Sequence, residues 1–175
     1  MNDSNQPDDL VSRVKMVHRA FPSGVTIVTT ALEGQPFGLA VNAFASITLA
    51  PPMVLVCINE TSSTYPRFFA GSSFGISILA SDQLDVARRF AVSGGNKFAG
   101  LDWLPGPQGQ PLINGAAAQL ELDIVSMLPA GTHTIFIGRV VTAAASGKAP
   151  LVYHNAGFFD GGALTPATDR KGTSA

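Results

Sequence analysis

Three short segments of the sequence combine small polar side chains with backbone freedom, and each could bind a ligand. In residues 38–46 (GLAVNAFAS) the small side chains would let a flat ligand approach the main chain, while Asn42 and Ser46 offer hydrogen bonds. Residues 62–64 (SST) place three hydroxyls before a predicted helix, where backbone N–H groups can bind phosphate. Residues 131–134 (GTHT) place an imidazole between two hydroxyls at the start of a strand.

Each segment also has an ordinary structural interpretation, and the residues alone leave both open. Alanine commonly fills space in the core of a barrel strand, and hydroxyls before a helix often serve as N-caps. A lone histidine at the start of a strand is more often structural than catalytic. Arg88 and Arg89, on a predicted helix, have the pattern of a solvated surface.

Other common chemistries lack their sequence motifs. No G-x-G-x-x-G is present, and Ala149 stands where a phosphate-binding loop would have a hydroxyl residue after Gly147 and Lys148. The three histidines and the single cysteine show no metal-ligand spacing. We therefore expect no metal site and no Rossmann-type nucleotide site.

The composition argues against nucleic acid and membrane as partners. The formal net charge is −1 and only 13% of residues are charged, so no basic surface is expected. Because 46% of residues are hydrophobic, part of the surface is expected to be covered by a second copy of the chain. No window approaches the roughly 18 apolar residues of a spanning helix. Cys57, alone in an apolar run, is expected to be an unreactive thiol, which suits a cytoplasmic protein.

The spacing of apolar residues predicts one domain made mainly of strands. A helix is expected over residues 10–21, and two more are expected after the caps at residues 61–64 and 81–83. Residues 93–115, rich in Gly and Pro, are expected to form a loop. Strands are expected at residues 24–31, 38–48, 53–58, 74–79, 118–128, 132–142 and 151–153. This order favours a closed antiparallel barrel over a doubly wound sheet.

Finer features of this domain also follow from the pattern. Strand 53–58 is apolar on both faces, which predicts burial on both sides. Strand 118–128 alternates, which places Glu121 on its polar face. We expect a disordered segment over residues 1–9, the domain over residues 10–160 and a flexible tail over residues 161–175.

The sequence closely resembles the flavin reductase-like family in seven segments that occur in the family's order and cover about residues 14–160. They are FPSGVTIVTT, GLAVNAFASITLAPPMVLVCI, SSTYPRFFAGSSFGISILASDQLDVARRFA, KFAGLDW, GQPLINGAAAQLELDI, GTHTIFIGRVV and LVYHNAGF. The resemblance implies the FMN-binding split barrel, a mainly β, closed antiparallel barrel with a few short peripheral α-helices. It further implies an NAD(P)H-dependent flavin reductase that supplies reduced FMN or FAD to a partner monooxygenase.

The resemblance also implies which residues bind flavin. The second strand lines the isoalloxazine ring, and residues 62–64 meet the ribityl phosphate. Ala40 and Ala43 replace the family's usual Thr and Ser, so we expect the main chain, Asn42 and Ser46 to make most contacts with the ring. The full set assigned to flavin is Ala40, Val41, Asn42, Ala43, Ser46, Cys57, Asn59, Ser62, Ser63, Thr64 and Arg88.

A second set is implied for the nicotinamide. His133 matches the histidine of the family's G-D-H-T-I-F-I-G motif, although Thr132 replaces the usual Asp. It is the one residue we assign to catalysis, where it would orient the carboxamide or stabilise charge on the reduced ring. Ser23, Tyr153 and Gly157 complete the set.

Several alternatives stay open at this point. The resemblance implies a homodimer with flavin near the subunit interface, but it leaves FMN or FAD and NADH or NADPH undecided. A non-enzymatic flavoprotein on the same barrel, acting as an electron carrier or sensor, is the main rival. An oxidase of a B6-vitamer phosphate would need a basic cluster that the sequence lacks, and a heme-binding barrel would need an axial histidine arrangement.

Overall fold

The computed structural model describes residues 7–167 as three helices and twelve strands. The elements are α1 (Pro7–Arg19), β1 (Ser23–Gly24), β2 (Thr26–Leu32), β3 (Gln35–Val41), β4 (Phe44–Leu49), β5 (Pro52–Asn59), α2 (Tyr65–Ala70), β6 (Ser73–Ile78), α3 (Leu84–Ala91), β7 (Trp103–Pro105), β8 (Pro111–Ile113), β9 (Ala118–Ala130), β10 (His133–Ala145), β11 (Leu151–His154) and β12 (Gly157–Asp160). A short 3-10 turn, Gly161–Ala163, follows β12.

Seven strands form one antiparallel sheet in the order β3-β2-β6-β9-β10-β5-β4. The two edge strands, β3 and β4, are consecutive in the chain and are joined only by Asn42 and Ala43. Three residue steps span at most about 11 Å. The sheet must therefore curl until its opposite edges approach each other at this link. The mainly β class is confirmed.

The core consists of two clusters, one on each side of the curled sheet. The first lies inside the curl and contains three aromatic rings, Phe68, Phe74 and Phe136, with Val28 and Val56. The second lies between the sheet and α3, where Phe90 packs edge-to-face on Phe98 at 5.1 Å between ring centroids. Both clusters hold β3 in place, because its alternate side chains enter one cluster or the other.

Several elements differ from the sequence predictions. The strand expected over residues 38–48 is two strands, because the corner at residues 42–43 carries the chain from one sheet edge to the other. The third helix begins at Leu84 and has no side-chain cap; Gln83 instead accepts from the Ala80 N–H and donates to the Asn114 carbonyl. The expected loop over residues 93–115 contains the hairpin β7-β8.

The burial of β5 also differs from the prediction. Val54, Val56 and Ile58 are buried, whereas Leu55 and Cys57 on the opposite face are only half-buried. One face of this strand therefore remains available for a ligand or a partner. This part of the prediction was wrong because apolar residues on both faces indicate two covered faces only when the covering element belongs to the same chain.

Glu121 lies on the predicted polar face of β9 but is fully buried. The loop of the β7-β8 hairpin covers it, and the N–H groups of Gln108 and Gln110 donate to its carboxylate at 2.9 and 3.1 Å. Thr142 Oγ1 donates to the other carboxylate oxygen at 3.1 Å. A Cβ at Gly106 would lie 2.5 Å from the carboxyl carbon, so only glycine leaves room for this arrangement.

Regular structure extends a few residues beyond both ends of the predicted domain. α1 begins at Pro7, three residues before the expected start of the domain, and the 3-10 turn continues ordered structure to Ala163. The predictions for residues 1–6 and 168–175 fall outside the described residues. Among residues 7–167, no helix is long and apolar enough to cross a membrane, and no His, Cys, Asp or Glu cluster could hold a metal ion.

Candidate functional site

The link between β3 and β4 forms a corner that is tied to β5. The Cys57 N–H donates to the Ala43 carbonyl at 3.1 Å, and the Phe44 N–H donates to the Asn42 carbonyl at 3.0 Å. These bonds fix the corner while the side chains of Asn42 and Ala43 stay exposed. The corner is thus a rigid feature with accessible polar groups.

A cavity of about 710 Å³, the corner cavity, opens at this link. Four residues assigned from the sequence line it: Ser23, Asn42, Ala43 and Tyr153. They come from distant parts of the chain, and the pairing of β1 with β11 places Ser23 opposite Tyr153. The helix α1 forms another wall. The volume lies within the range of about 300–1,000 Å³ that is usual for ligand pockets.

Ser23 has an unsatisfied hydroxyl. Its Oγ is the one buried side-chain polar atom within residues 7–167 that lacks a hydrogen-bond partner. Leaving such a group unpaired costs about 1–3 kcal/mol, so nearly all buried polar groups have a partner. Ser23 also lines the corner cavity, so a change of its side-chain rotamer would let a polar group of a bound ligand supply the missing partner.

The free edge of β3 presents main-chain groups that can bind a ligand. The Val41 carbonyl faces β2, where a threonine hydroxyl donates to it. The Gly38 carbonyl faces away from β2 and accepts from Thr64 Oγ1 at 3.1 Å and from Lys97 Nζ at 3.3 Å. Successive residues of a strand point their N–H and C=O groups to opposite sides. The N–H and C=O of Ala40 therefore lie on the same free edge as the Gly38 carbonyl.

The side chains of this segment divide between packing and exposure. Ala40 packs against the second core cluster and Val41 is buried in the first, as the packing interpretation of the segment expected. Ser46 is exposed on β4, beyond the corner cavity. For Ala40 and Val41, the main chain is therefore the part that remains available to a ligand.

The hydroxyls of residues 62–64 are largely engaged in the turn before α2. Ser62 Oγ accepts from the Thr64 N–H at 3.3 Å, and Thr64 Oγ1 donates to β3 rather than capping the helix. Thr64 therefore stands at the N-cap position of α2 without forming a side-chain cap. Ser63 is exposed and lines a second cavity together with Thr64.

This second cavity, the tail cavity, has a volume of about 570 Å³ and lies along the first half of β3, at residues 35–38. Two cations line it, Arg67 and Lys97, and the guanidinium of Arg67 stacks over the ring of Phe37 at 4.8 Å. Burial lowers the pKa of the Lys97 ammonium below its usual range, because desolvation disfavours the charged form. No Asp or Glu is among the lining residues.

His133, Asn59 and Cys57 lie together on the outer face of the sheet. His133 is the first residue of β10 and pairs with Asn59 of β5, and its Nδ1 is 3.1 Å from Thr132 Oγ1. The Asn59 carboxamide oxygen already accepts two bonds from Thr61. Burial raises the pKa of the Cys57 thiol, which keeps it protonated and unreactive.

The same face connects these residues with the corner cavity. Leu55, which lines the cavity, lies four residues before Asn59 on β5, a separation of about 13 Å along a strand. His133 lines neither of the two cavities. Its assignment to the nicotinamide stays a prediction.

Eight other assigned residues also line neither cavity: Ala40, Val41, Ser46, Cys57, Asn59, Ser62, Arg88 and Gly157. Arg88 is exposed on α3, and Gly157 begins β12. A Cβ at Gly157 would lie 3.2 Å from the Phe159 ring, which gives this glycine a packing role.

The structure adds two residues that the sequence interpretation missed. Lys97 and Arg67 bring positive charge to the tail cavity, beside the assigned Ser63 and Thr64. Lys97 lies in the Gly-rich stretch taken as a loop. The sequence feature that could have identified Lys97 is that it is the sole charged residue between Arg89 and Asp102.

Together these features fit a flavin. A ring in the corner cavity would meet the Asn42 amide. The main-chain edge of Ala40 lies two residues before Asn42 on the same stretch of chain. Flavin rings carry donors and acceptors along one edge, which such groups can pair. From Asn42 to Gly38 is about 13 Å along the strand, a distance that the ring and ribityl chain span together.

Comparison with known proteins identifies a matching family. The model of the family described as flavin reductase like domain matches residues 17–162. The chain is 39% identical over 142 residues to an NADH-dependent FAD reductase of Streptomyces globisporus, covering 78% of this chain and 77% of that protein. The structure of NADH:FAD oxidoreductase SgcE6 of Streptomyces globisporus superposes with a TM-score of 0.82 at 34% identity, covering 95% of this chain and 99% of that one.

Some curated relatives are longer than this chain. The reductase component of a flavin-dependent trigonelline monooxygenase of Acinetobacter baylyi is 39% identical over 155 residues, which cover 86% of this chain. That match spans 50% of the relative's own length. A stachydrine N-demethylase reductase subunit of Rhizobium meliloti is 37% identical over 80% of this chain, and the match spans 61% of that protein.

Proposed function

This chain belongs to the flavin reductase like family, and from that premise we propose that it is an NAD(P)H-dependent flavin reductase. NAD(P)H gives a hydride from nicotinamide C4 to flavin N5, a proton from solvent completes the reduced flavin, and NAD(P)⁺ leaves. The observation that carries the proposal is the corner cavity, which joins four assigned residues from three chain segments and contains an unpaired buried hydroxyl.

The flavin would be held mainly by main chain. Ala40 offers N–H and C=O groups on the free edge of β3, and Asn42 offers its amide in the cavity wall. Neither Ala40 nor Ala43 has a polar side chain to add. Few side-chain contacts make binding weak and exchangeable, which suits a protein whose reduced flavin must leave.

The nicotinamide would stack on the exposed side of the flavin ring. Ser23 and Tyr153 lie in the wall of the cavity, where the hydroxyl of Ser23 can pair with the carboxamide. Holding two reactants about 3–3.5 Å apart supplies most of the catalysis when the cofactors carry the chemistry. This accounts for a site without an acid–base pair of side chains. His133 would orient the nicotinamide carboxamide or stabilise charge on the reduced flavin ring.

The names of relatives support the choice of substrates and partner. Relatives are named NADH-dependent FAD reductase and FMN reductase (NADH), so we propose NADH as the donor and FAD or FMN as the acceptor. Others are named reductase components of monooxygenases acting on trigonelline and on 4-nitrophenol. We propose that a flavin-dependent monooxygenase receives the reduced flavin, in the cytoplasm, where an unpaired Cys57 stays reduced.

We also propose that residues 10–160 form one closed barrel domain that works as a homodimer. The short link from β3 to β4 supports closure of the sheet. The apolar face of α1 is uncovered, with Val14 41% and Val17 69% exposed, and so is Leu128 on β9 at 46%. Exposed apolar surface of this extent marks an interface. Leu128 pairs with Ile135 of β10, and Ile135 lies on the same outer face of the sheet as Leu55 of β5. Because Leu55 lines the corner cavity, this cavity would open at the dimer interface.

Turnover with each donor and acceptor pair tests the proposed function. NADH and NADPH are supplied in turn with FMN and FAD, and oxidation of the nicotinamide is followed by its near-ultraviolet absorbance. We expect flavin-dependent oxidation that is faster with NADH. A flavoprotein that only carries electrons would bind flavin without turnover in any pair, and that result would refute the proposal.

A further inference from the structure

The wall that α1 contributes to the corner cavity carries positive charge. Lys15, His18 and Arg19 line the cavity from this helix, and no Asp or Glu is among the lining residues. Within residues 7–167, neither Lys15 nor Arg19 takes part in an ion pair. Both residues are exposed, so the cavity presents two unpaired cations to any ligand that enters it.

The spacing of the two cations on α1 is unfavourable unless an anion lies between them. Lys15 and Arg19 are four residues apart, so their side chains are neighbours on one face of the helix. Like charges at this spacing destabilise a helix, whereas a carboxylate three or four residues away would stabilise it. The other residues of α1 at those separations are Val11, Ser12, Met16 and His18. The helix itself therefore supplies no counterion to either cation.

The fold holds the end of α1 at the cavity. The Arg19 carbonyl accepts from the Asn155 N–H at 3.1 Å, which ties the helix to the turn between β11 and β12. Asn155 also lines the corner cavity. Basic residues in the last turn of a helix interact favourably with its dipole, which accounts for His18 and Arg19. The dipole does not account for Lys15, which lies one turn earlier.

The position of these cations indicates which anion they would bind. Ser23, assigned to the nicotinamide, lines the same cavity and follows Arg19 by four residues, which span at most about 15 Å. Residues 62–64, assigned to the flavin phosphate, do not line this cavity. The dihydronicotinamide ring of NADH is uncharged, and the nearest anionic group is the pyrophosphate that follows its ribose.

We infer that Arg19 and Lys15 bind the pyrophosphate of the pyridine nucleotide and thereby position its nicotinamide over the flavin. The guanidinium of Arg19 can pair with two phosphate oxygens, and the ammonium of Lys15 adds a point charge. The α1 wall would serve in place of the Gly-rich phosphate-binding motifs that the sequence lacks. This inference rests on the proposed function, since it assumes that NADH enters the corner cavity.

A pyrophosphate occurs in both NADH and FAD, so the test must separate the two sources. Steady-state rates are measured with riboflavin, an acceptor without phosphate, and with either NADH or N-benzyl-dihydronicotinamide as the donor. The benzyl donor has the same ring and carboxamide but no phosphate. The Kd of FAD is measured separately by quenching of flavin fluorescence. The full chain is used as wild type and as Arg19→Gln, Arg19→Lys and Lys15→Met.

The expected results differ between the two donors. Arg19→Gln raises the KM for NADH about tenfold, as loss of a charge-assisted hydrogen bond predicts. It leaves kcat/KM for the benzyl donor and the Kd of FAD unchanged. Arg19→Lys keeps the charge and restores part of the loss. Lys15→Met gives a smaller rise with the same selectivity, because an ammonium does not pair bidentately, and it serves if Arg19→Gln fails to fold.

Arg13→Gln is the matched control. Arg13 lies on the same helix, pairs with Asp9 at 3.1 Å and does not line the corner cavity, so its loss is expected to leave the KM for NADH unchanged. An equal loss with both donors, a loss confined to the Kd of FAD, or an unchanged KM for NADH in the Arg19 and Lys15 variants would overturn the inference.

Two further outcomes separate this inference from the other proposals. If Arg19→Gln changes the molar mass from light scattering but not the KM for NADH, the cations belong to the contact between subunits and the inference fails. If the wild type oxidises neither donor, the proposed function fails, and titration of NADH by its own fluorescence decides the site. Weaker NADH binding to Arg19→Gln than to Arg13→Gln would then support the inference, and equal binding would overturn it.

Discussion

At the scale of single residues, the corner cavity depends on groups that the fold leaves unpaired. Asn42 and Ser23 could be assigned from the sequence because the family's motifs extend through them, and the structure brings both to one cavity. Lys97 could not be assigned, since a lone lysine in a Gly-rich stretch has no pattern and its position depends on carbonyls of β3 and α3. Arg88 is the opposite case. Its place on a predicted helix allowed it to be assigned to flavin by resemblance, but in the structure its side chain is exposed.

Ser23→Ala tests the unpaired hydroxyl. Because its Oγ has no partner in the described part of the chain, its removal is expected to leave the free energy of unfolding unchanged or slightly higher. Loss of its hydrogen bond to the nicotinamide carboxamide should raise the KM for NADH about fivefold. Denaturant unfolding and steady-state kinetics check both. A loss of stability with an unchanged KM would show that the hydroxyl is structural.

His133→Ala tests the one catalytic assignment. If the imidazole meets the nicotinamide, the KM for NADH should rise more than the KM for the flavin, because the lost contact is on one substrate only. His154→Ala is a suitable comparison, since His154 is half-buried on β11 outside the corner cavity. Equal changes in both KM values for His133→Ala would contradict the assignment.

At the scale of elements, the strands could be predicted better than their connections. Alternation located β9 closely, because a strand with one covered face repeats every second residue, and β-branched residues located β10. The break at residues 42–43 was not visible, because the chain stays extended on both sides of the corner and only sheet closure requires the change of edge. Burial of Glu121 was missed for a similar reason, since its cover comes from a hairpin predicted as a loop.

Glu121→Ala tests how firmly the β7-β8 hairpin is held. The change leaves the N–H groups of Gln108 and Gln110 without their acceptor, and the free energy of unfolding should fall by about 3 kcal/mol. Asp123→Ala, two residues along the same strand, removes only an exposed pair with Arg139 and should cost less than about 1 kcal/mol. Urea unfolding measures both free energies of unfolding. Equal losses would show that the Glu121 carboxylate does not hold the β7-β8 hairpin in place.

At the scale of the whole molecule, a sequence with few charged residues folds into a structure with exposed apolar surface. α1 is amphipathic, yet within residues 7–167 its apolar side chains, such as Val14 and Val17, remain exposed. The sequence could indicate that such a surface exists, because only 13% of its residues are charged while 46% are hydrophobic. It could not indicate where the surface lies, because that depends on which strand faces the chain itself covers.

Leu128→Glu tests the proposed dimer. A carboxylate on the outer face of β9 would be buried between subunits, so the molar mass from light scattering should fall from two chains to one. Leu164→Glu, at an equally apolar residue that is 68% exposed after β12, should leave the mass at two chains. A wild type with the mass of one chain at every concentration would contradict the dimer.

The central claim is that this chain transfers hydride from NADH to an exchangeable flavin, and anaerobic mixing tests it most directly. The full chain is mixed with FAD and NADH, and then with FAD and NADH deuterated at C4, while the visible absorbance of the flavin is followed. We expect complete bleaching that is far faster than without protein and slower with the deuterated donor. Bleaching at the same rate with and without the chain would contradict it.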